Sequence, residues 1–217
     1  MKRAIVLAIV ALFAVGAGAM AVTYSTTLYV GQNLVAPPGV PFNPDPPAVF
    51  LDNGGNPIPI MFALTRWDAA LQSYEPYNPF GGNYGGVLLG DGAWLPVDTQ
   101  VVWQYDGAPD GLPDTGGTMT DMWISLPKAG LTLIGHPFNH NVVFANCLMT
   151  DGTQTITMDA ARTAGWTDAL IFGWDGVGQS YMNIGIDPWW LPDLEAYRGY
   201  WMTTFQDNLA LIIPAGP

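Results

Sequence analysis

The chain has 217 residues, 49% of them hydrophobic and only 11% charged, against about 25% charged in an average domain. Disordered chains combine high net charge with few apolar residues, so this composition excludes disorder for most of the length. The net charge of −12 sets 18 acidic residues against six Lys and Arg, which excludes the basic surface that nucleic-acid binding needs. Gly and Pro together contribute 45 residues, 26 and 19 respectively, and both disfavour helix interiors.

Met1-Lys2-Arg3 opens the chain with positive charge, and the uncharged run Ala4 to Val22 ends in small residues. Ala19-Met20-Ala21 fits the small-x-small pattern of signal peptidase, so residues 1–21 read as a signal peptide and the protein as secreted or cell-surface. The alternative is a retained anchor, since nineteen uncharged residues approach the length that spans a bilayer. Without residues 1–21, four basic residues (Arg66, Lys128, Arg162, Arg198) face the same 18 acids, a net charge near −14. Later apolar runs are short and interrupted, so no membrane span is expected after cleavage.

Along the chain the readable elements are strands. Thr23 to Val30 alternates, with Tyr24, Leu28 and Val30 on one face. Asn33 to Ala36 is an apolar run halted by Pro, and Trp67-Asp68 with Gln72-Ser73-Tyr74 reads as a hairpin whose Asp bonds the turn that it opens. Leu88-Leu89 and Trp94-Leu95 make a further strand, and Val101-Val102-Trp103 another.

The same order then recurs. Trp67-Asp68-Ala69-Ala70-Leu71-Gln72-Ser73-Tyr74 reappears 107 positions on as Trp174-Asp175-Gly176-Val177-Gly178-Gln179-Ser180-Tyr181, and Gly92-Ala93-Trp94 as Gly199-Tyr200-Trp201. Upstream the offset is 99: Gly31-Gln32-Asn33-Leu34 matches Gly130-Leu131-Thr132-Leu133, and Tyr24 matches Trp123. A duplication with one eight-residue insertion in the second copy accounts for both offsets. The expected fold is therefore all-β: two tandem, duplicated antiparallel β-sandwich or barrel-like modules, 22–106 and 121–217, joined by a Gly/Pro/Asp linker at 107–120. One short helix is expected in the second, Met158 to Ala164, with Thr157 as N-cap and Gly165 as its stop. Leu209 to Ile213 closes that copy.

A Gly-x-Asn-Leu-Val/Ile strand ending in Pro, an aromatic-Asp hairpin ending in Ser-Tyr, and a Gly-aromatic-Trp strand together resemble a β-module of secreted and cell-surface bacterial proteins. The resemblance covers both copies and implies a fold rather than a chemistry. Thr132 stands where the pattern has Asn, and Ala93 where the second copy has Tyr200.

No catalytic residues are expected. Asp68 and Asp175 occupy the same turn of different copies, which suits a fold role better than a pair flanking one bond. His136 and His140 are four apart, but Pro137 opposes a helix, and the Glu of a zinc-protease motif is absent. Single Cys147 lies in an apolar segment and reads as a buried thiol. Asp106, Asp110 and Asp114 in the joint are candidates to hold calcium through carboxylates and backbone carbonyls, though the composition first describes a solvated linker. Trp189 and Trp190, between Pro188 and Pro192, are the expected exposed pair for ligand binding; the Trp residues of the repeated motifs are expected in the core.

The function these features point to is non-enzymatic: a structural or interaction role at the cell surface or in the extracellular matrix, with self-assembly included. A carbohydrate-binding protein is the alternative and a secreted hydrolase a third reading. Partners are other surface or matrix proteins, further copies of the chain, or glycans.

Overall fold

The computed structural model describes residues 21–81, 84–108 and 120–216. The expected signal peptide lies outside these apart from Ala21, as does most of the expected linker. The fold is all-β and sandwich-like, with several antiparallel sheets. In the first half the elements are β1 (Val22–Leu28), β2 (Leu34–Val35), α1 (Pro46–Val49), β3 (Leu51–Asp52), β4 (Thr65–Asp68), β5 (Ser73–Pro76), β6 (Ala93–Trp94) and β7 (Val101–Gly107). The second half contains β8 (Met122–Leu126), β9 (Gly130–Gly135), β10 (Val142–Val143), β11 (Leu148–Thr150), β12 (Thr155–Thr157), α2 (Met158–Thr163), β13 (Thr167–Asp175), β14 (Ser180–Gly185), β15 (Asp193–Leu194), β16 (Gly199–Thr204) and β17 (Leu209–Ile213). Among the described residues, no helix is long and apolar enough to cross a membrane.

Each half builds two main sheets. The first half has β1-β7-β3 and β2-β6-β4-β5; the second has β12-β11-β17-β8 and β14-β13-β16-β9. The apolar filling differs between them. Tyr24 stacks on Tyr105 at 5.2 Å between ring centroids and Phe50 on Trp103 at 5.1 Å, whereas Leu126, Ile134, Met149, Met158, Ile171 and Leu211 dominate the second core. The buried polar ends are satisfied: the Trp103 indole N–H donates to Val49 O at 2.8 Å and the Tyr24 hydroxyl to Ala108 O at 2.6 Å. Truncating Trp103 to Ala would cost about 3–5 kcal/mol.

Helix α2 forms where the sequence places it. The Thr157 hydroxyl accepts from the Ala160 N–H at 3.3 Å, Asp159 and Arg162 pair at 2.8 Å, and Gly165 turns the chain away at φ +71°. Helix α1 is not announced by the sequence pattern; it is a single turn opened by Pro46 at its first position. Three strand expectations need correction. Val30 lies beyond β1 and is exposed, and Leu88 and Leu89 belong to no strand. Tyr24 and Trp123 match in sequence but not in facing: Tyr24 is 1% exposed and Trp123 58%. Side chains alternate along a strand, so a one-residue difference in placement turns the aromatic from core to solvent.

The two halves are joined by backbone as well as side chains. Val35 bridges to Arg198 and Asp91 to Ile134, both antiparallel. Ala36 N–H donates to Tyr197 O at 3.0 Å, and Gly135 N–H to Gly90 O at 2.7 Å. Pairing therefore passes from β6 to β2, across to the start of β16, on to β9 and back to the approach to β6. This ring gives β2 and β9 partners on both sides and covers those two edges, while β5 and β14 remain the outer strands.

Candidate functional site

The candidate site lies where the halves meet, and the two hairpins build it. Asp68 Oδ1 accepts from the N–H groups of Ala70 and Leu71, both at 2.9 Å, and Asp175 Oδ1 from Val177 N–H at 3.0 Å. These bonds shape turns in which Gln72 and Gln179 both adopt left-handed backbone, φ +50° and +49°. Each turn directs its Gln across the junction. The Gln72 carboxamide accepts from Leu131 N–H at 3.0 Å and donates to Leu131 O at 2.9 Å, and the Trp67 indole adds a bond to that oxygen at 2.8 Å. In the other direction, Gln179 accepts from Gln32 N–H at 2.8 Å and donates to Gln32 O at 3.0 Å, with the Trp174 indole on the same oxygen at 2.8 Å. Glycine precedes each clamped residue because a Cβ at Gly31 would overlap Gln179 and one at Gly130 would overlap Gln72. Both glycines also have positive φ, which a side chain would strain.

Above these clamps lie two aromatic triads, each mixing the halves. Trp67 and Tyr74 of the first hairpin meet Trp201 edge to face at 5.2 and 6.1 Å, while Trp174 and Tyr181 of the second meet Trp94 at 5.3 and 6.4 Å. Edge-to-face packing suits the ring quadrupoles and fixes the rings against one another. Tyr74 and Tyr181 remain 55% and 57% exposed. They form the shared rim of two clefts. One, of about 400 Å³, is lined by Trp67, Tyr74, Leu131, Phe172, Tyr181 and Trp201; the other, of about 560 Å³, includes Phe62, Thr65, Trp94 and Trp174 beside the same tyrosines. Burial, and then the neighbouring Tyr181, raise the Tyr74 hydroxyl pKa above its ordinary value, with the Trp94 indole opposing. The motif tryptophans are thus only partly core: they wall clefts that open to solvent. Their spacing in sequence identified them, but nothing in it paired Trp201 with the first hairpin or Trp94 with the second.

The other candidates lie apart from these clefts. Trp189 is 71% exposed and Trp190 half-buried, in the loop between β14 and β15. Glu75 pairs with Arg66 and Glu195 with Arg198, each at 2.8 Å. His136 is fully buried with Nε2 against His140 O at 2.6 Å, and burial is the main cause that lowers its pKa to about 4. Cys147 is also buried, which pushes its thiol up to about 12. Asp106 accepts a hydrogen bond from the Thr23 hydroxyl at 2.7 Å, while Asp110 and Asp114 lie outside the described residues. Among the described residues, no group of three or more His, Cys, Asp or Glu is placed to hold a metal ion.

Compared with known proteins, the chain matches no family model, no curated protein and no solved structure.

Proposed function

We propose that this is an exported, non-enzymatic protein that acts by contact at the cell surface or in the extracellular matrix, from a duplicated acidic chain released by cleavage after Ala21. The observation that carries this reading is the aromatic face at the junction, where Tyr74 and Tyr181 stand exposed over two apolar clefts. Exposed apolar area of this kind marks contact surfaces, and rings locked edge to face lose little freedom when a partner covers them. The reactive side chains are committed elsewhere: Asp68 and Asp175 hold turns, Glu75 and Glu195 are ion-paired, and Cys147 is buried. Contact between copies of the chain belongs to the same reading, since only four basic residues follow residue 21 to discourage edge association.

The test is fractionation of the producing cells, with the mature N-terminus sequenced and the purified protein sedimented over a range of concentrations. Residence in the envelope or medium, with a start at Val22, is the expected result. A cytoplasmic protein with its first 21 residues intact overturns the reading, as does substrate turnover abolished by Asp68→Asn or Asp175→Asn. A second reading, carbohydrate binding through Trp189 and Trp190, is favoured by the exposure of Trp189. Its test is a glycan array on which Trp189→Ala abolishes binding.

A further inference from the structure

Flanking the junction are two polar pockets at matching positions, one built on Asn33 and the other on Thr132. The pocket of about 280 Å³ is lined by residues that include Leu28, Asn33, Trp174 and Arg198. Its opposite number, of about 390 Å³, is lined by residues that include Arg66, Glu75, Asp91, Trp123, Ser125 and Thr132. In the first, Asn33 is fully used: its carboxamide accepts from Tyr29 N–H at 2.9 Å and donates to the carbonyls of Tyr29, Gly31 and Leu95 at 2.8, 3.2 and 3.3 Å. Thr132 holds the matching position in the second. It is only 5% exposed, and its hydroxyl oxygen is buried without a hydrogen-bond partner. Buried hydroxyls are nearly always bonded, because desolvating one without a partner destabilises the fold.

The surroundings of Thr132 define what would satisfy it. Arg66 and Glu75 form an ion pair on one wall, and the Arg66 guanidinium lies 4.6 Å from the Tyr84 ring centre. Asp91 takes the Leu88 N–H on Oδ2 at 3.0 Å, and burial raises its pKa above the usual carboxylate value. Ser125 adds a hydroxyl, and Trp123 presents an indole that is mostly exposed. An anion would meet Glu75 and Asp91 on a chain of net charge −12. A metal cation would meet three carboxylates, Asp68, Glu75 and Asp91, against Arg66, but Asp68 holds its own turn and, among the described residues, no three such groups converge to hold one. A wholly apolar ligand would leave Asp91 and Thr132 desolvated and unpaired. What remains is a neutral ligand whose groups both donate and accept, with an apolar face for the indole. The volume falls within the range of about 300–1,000 Å³ of small-molecule sites.

We infer that the pocket between Trp123 and the Arg66–Glu75 pair binds a neutral, hydroxyl-rich ligand of the saccharide class. Thr132 and the carboxylates take its hydroxyls, and Trp123 takes its C–H face. This site shares only Trp67 with the aromatic clefts and lies apart from Trp189 and Trp190, so it stands or falls apart from the contact role proposed above, whose test reads location and assembly.

The experiment is calorimetric titration and saturation-transfer NMR of the purified protein. The probes are neutral gluco-, manno-, xylo- and chito-oligosaccharides, with uronic-acid oligosaccharides and calcium chloride as charged comparisons. At least one neutral probe is expected to bind. Trp123→Ala should weaken it about tenfold or more, Thr132→Val should weaken it severalfold with no loss of thermal stability, and replacement of the exposed Phe205 by Ala should leave it unchanged. Trp123 is exposed, so its replacement keeps the fold intact and the result readable. The inference is overturned if no neutral probe binds at about 10 mM, if only calcium or uronic acids bind, or if binding ignores Trp123→Ala and Thr132→Val and is lost with Trp189→Ala instead.

Discussion

Gln72 engages both backbone groups of Leu131, 59 residues away, with the acceptor and the donor of a single carboxamide. Gln179 engages Gln32 in the same manner from the other half. A short side chain thus does for the junction what a strand pair does within a sheet.

The first prediction concerns this clamp. Gln72→Ala removes three hydrogen bonds, two to Leu131 and one to Ala69 O, that water partly replaces, and should lower unfolding free energy by about 1–2 kcal/mol. Gln72→Glu keeps the acceptor but sets a carboxylate against the Leu131 carbonyl, and should be the more damaging of the two. Urea unfolding of Gln72→Ala, Gln179→Ala and the double variant is the measurement. If the junction opens as one unit, the two losses will couple by more than about 0.5 kcal/mol rather than add.

A second prediction contrasts Asn33 with Thr132. Asn33→Thr takes from the Tyr29 N–H and the Tyr29 carbonyl their Asn33 partner, while Gly31 O and Leu95 O keep the Val97 and Asn33 N–H groups, and should cost about 1–3 kcal/mol. Thr132→Val deletes an unpartnered buried hydroxyl while keeping the shape, and should be neutral or stabilising by about 1 kcal/mol. Thermal unfolding of both variants decides it; equal losses would contradict the bonding described.

The third is a pH dependence. His136 has its pKa lowered from 6.5 to about 4 by burial, so the fold holds it neutral where the unfolded chain would protonate it. Its stabilisation is fully present above about pH 6.5 and is lost as the pH falls toward 4, with a limit near 3 kcal/mol from that shift. Asp91, whose pKa is raised, contributes with the opposite sign: its share is lost as the pH rises through the raised value. Unfolding measured from pH 7 to pH 4 should therefore show a falling arm that His136→Phe flattens.

Cys147 provides a fourth. A fully buried thiol pushed up to about 12 carries almost no thiolate at neutral pH. An aromatic disulfide reagent should label it only after denaturant is added, and reductant should leave the sedimentation of the native protein unchanged. Stoichiometric labelling of the native protein would contradict the burial.

The local grammar of the chain was legible where a residue acts on its own neighbours. Asp68 and Asp175 bond the turns beside them, and Thr157, Asp159 and Gly165 fix a helix through short-range bonds, so type and spacing sufficed to find them. What depended on distant register was not legible. Trp94 and Trp201 occupy matched positions in sequence, yet each completes the triad of the opposite half, a choice made by long-range bridges such as Val35 to Arg198. Trp123 was misplaced relative to Tyr24 because alternation tells which residues share a face but not which face is inside. The polar pocket was hidden for a related reason: Thr132 looked like a departure from a pattern, and only the bonding of Asn33 reveals what the departure leaves open.

The reciprocal clamps, crossed triads and paired bridges share one mechanical property: none of them passes through residues 109–119. A protease that severs the chain there would cut a covalent thread without releasing either piece, because each piece still holds the other by indole, carboxamide and backbone. The nicked molecule should travel as one particle under native conditions and separate only in denaturant. Such a molecule outlasts the continuity of its own backbone.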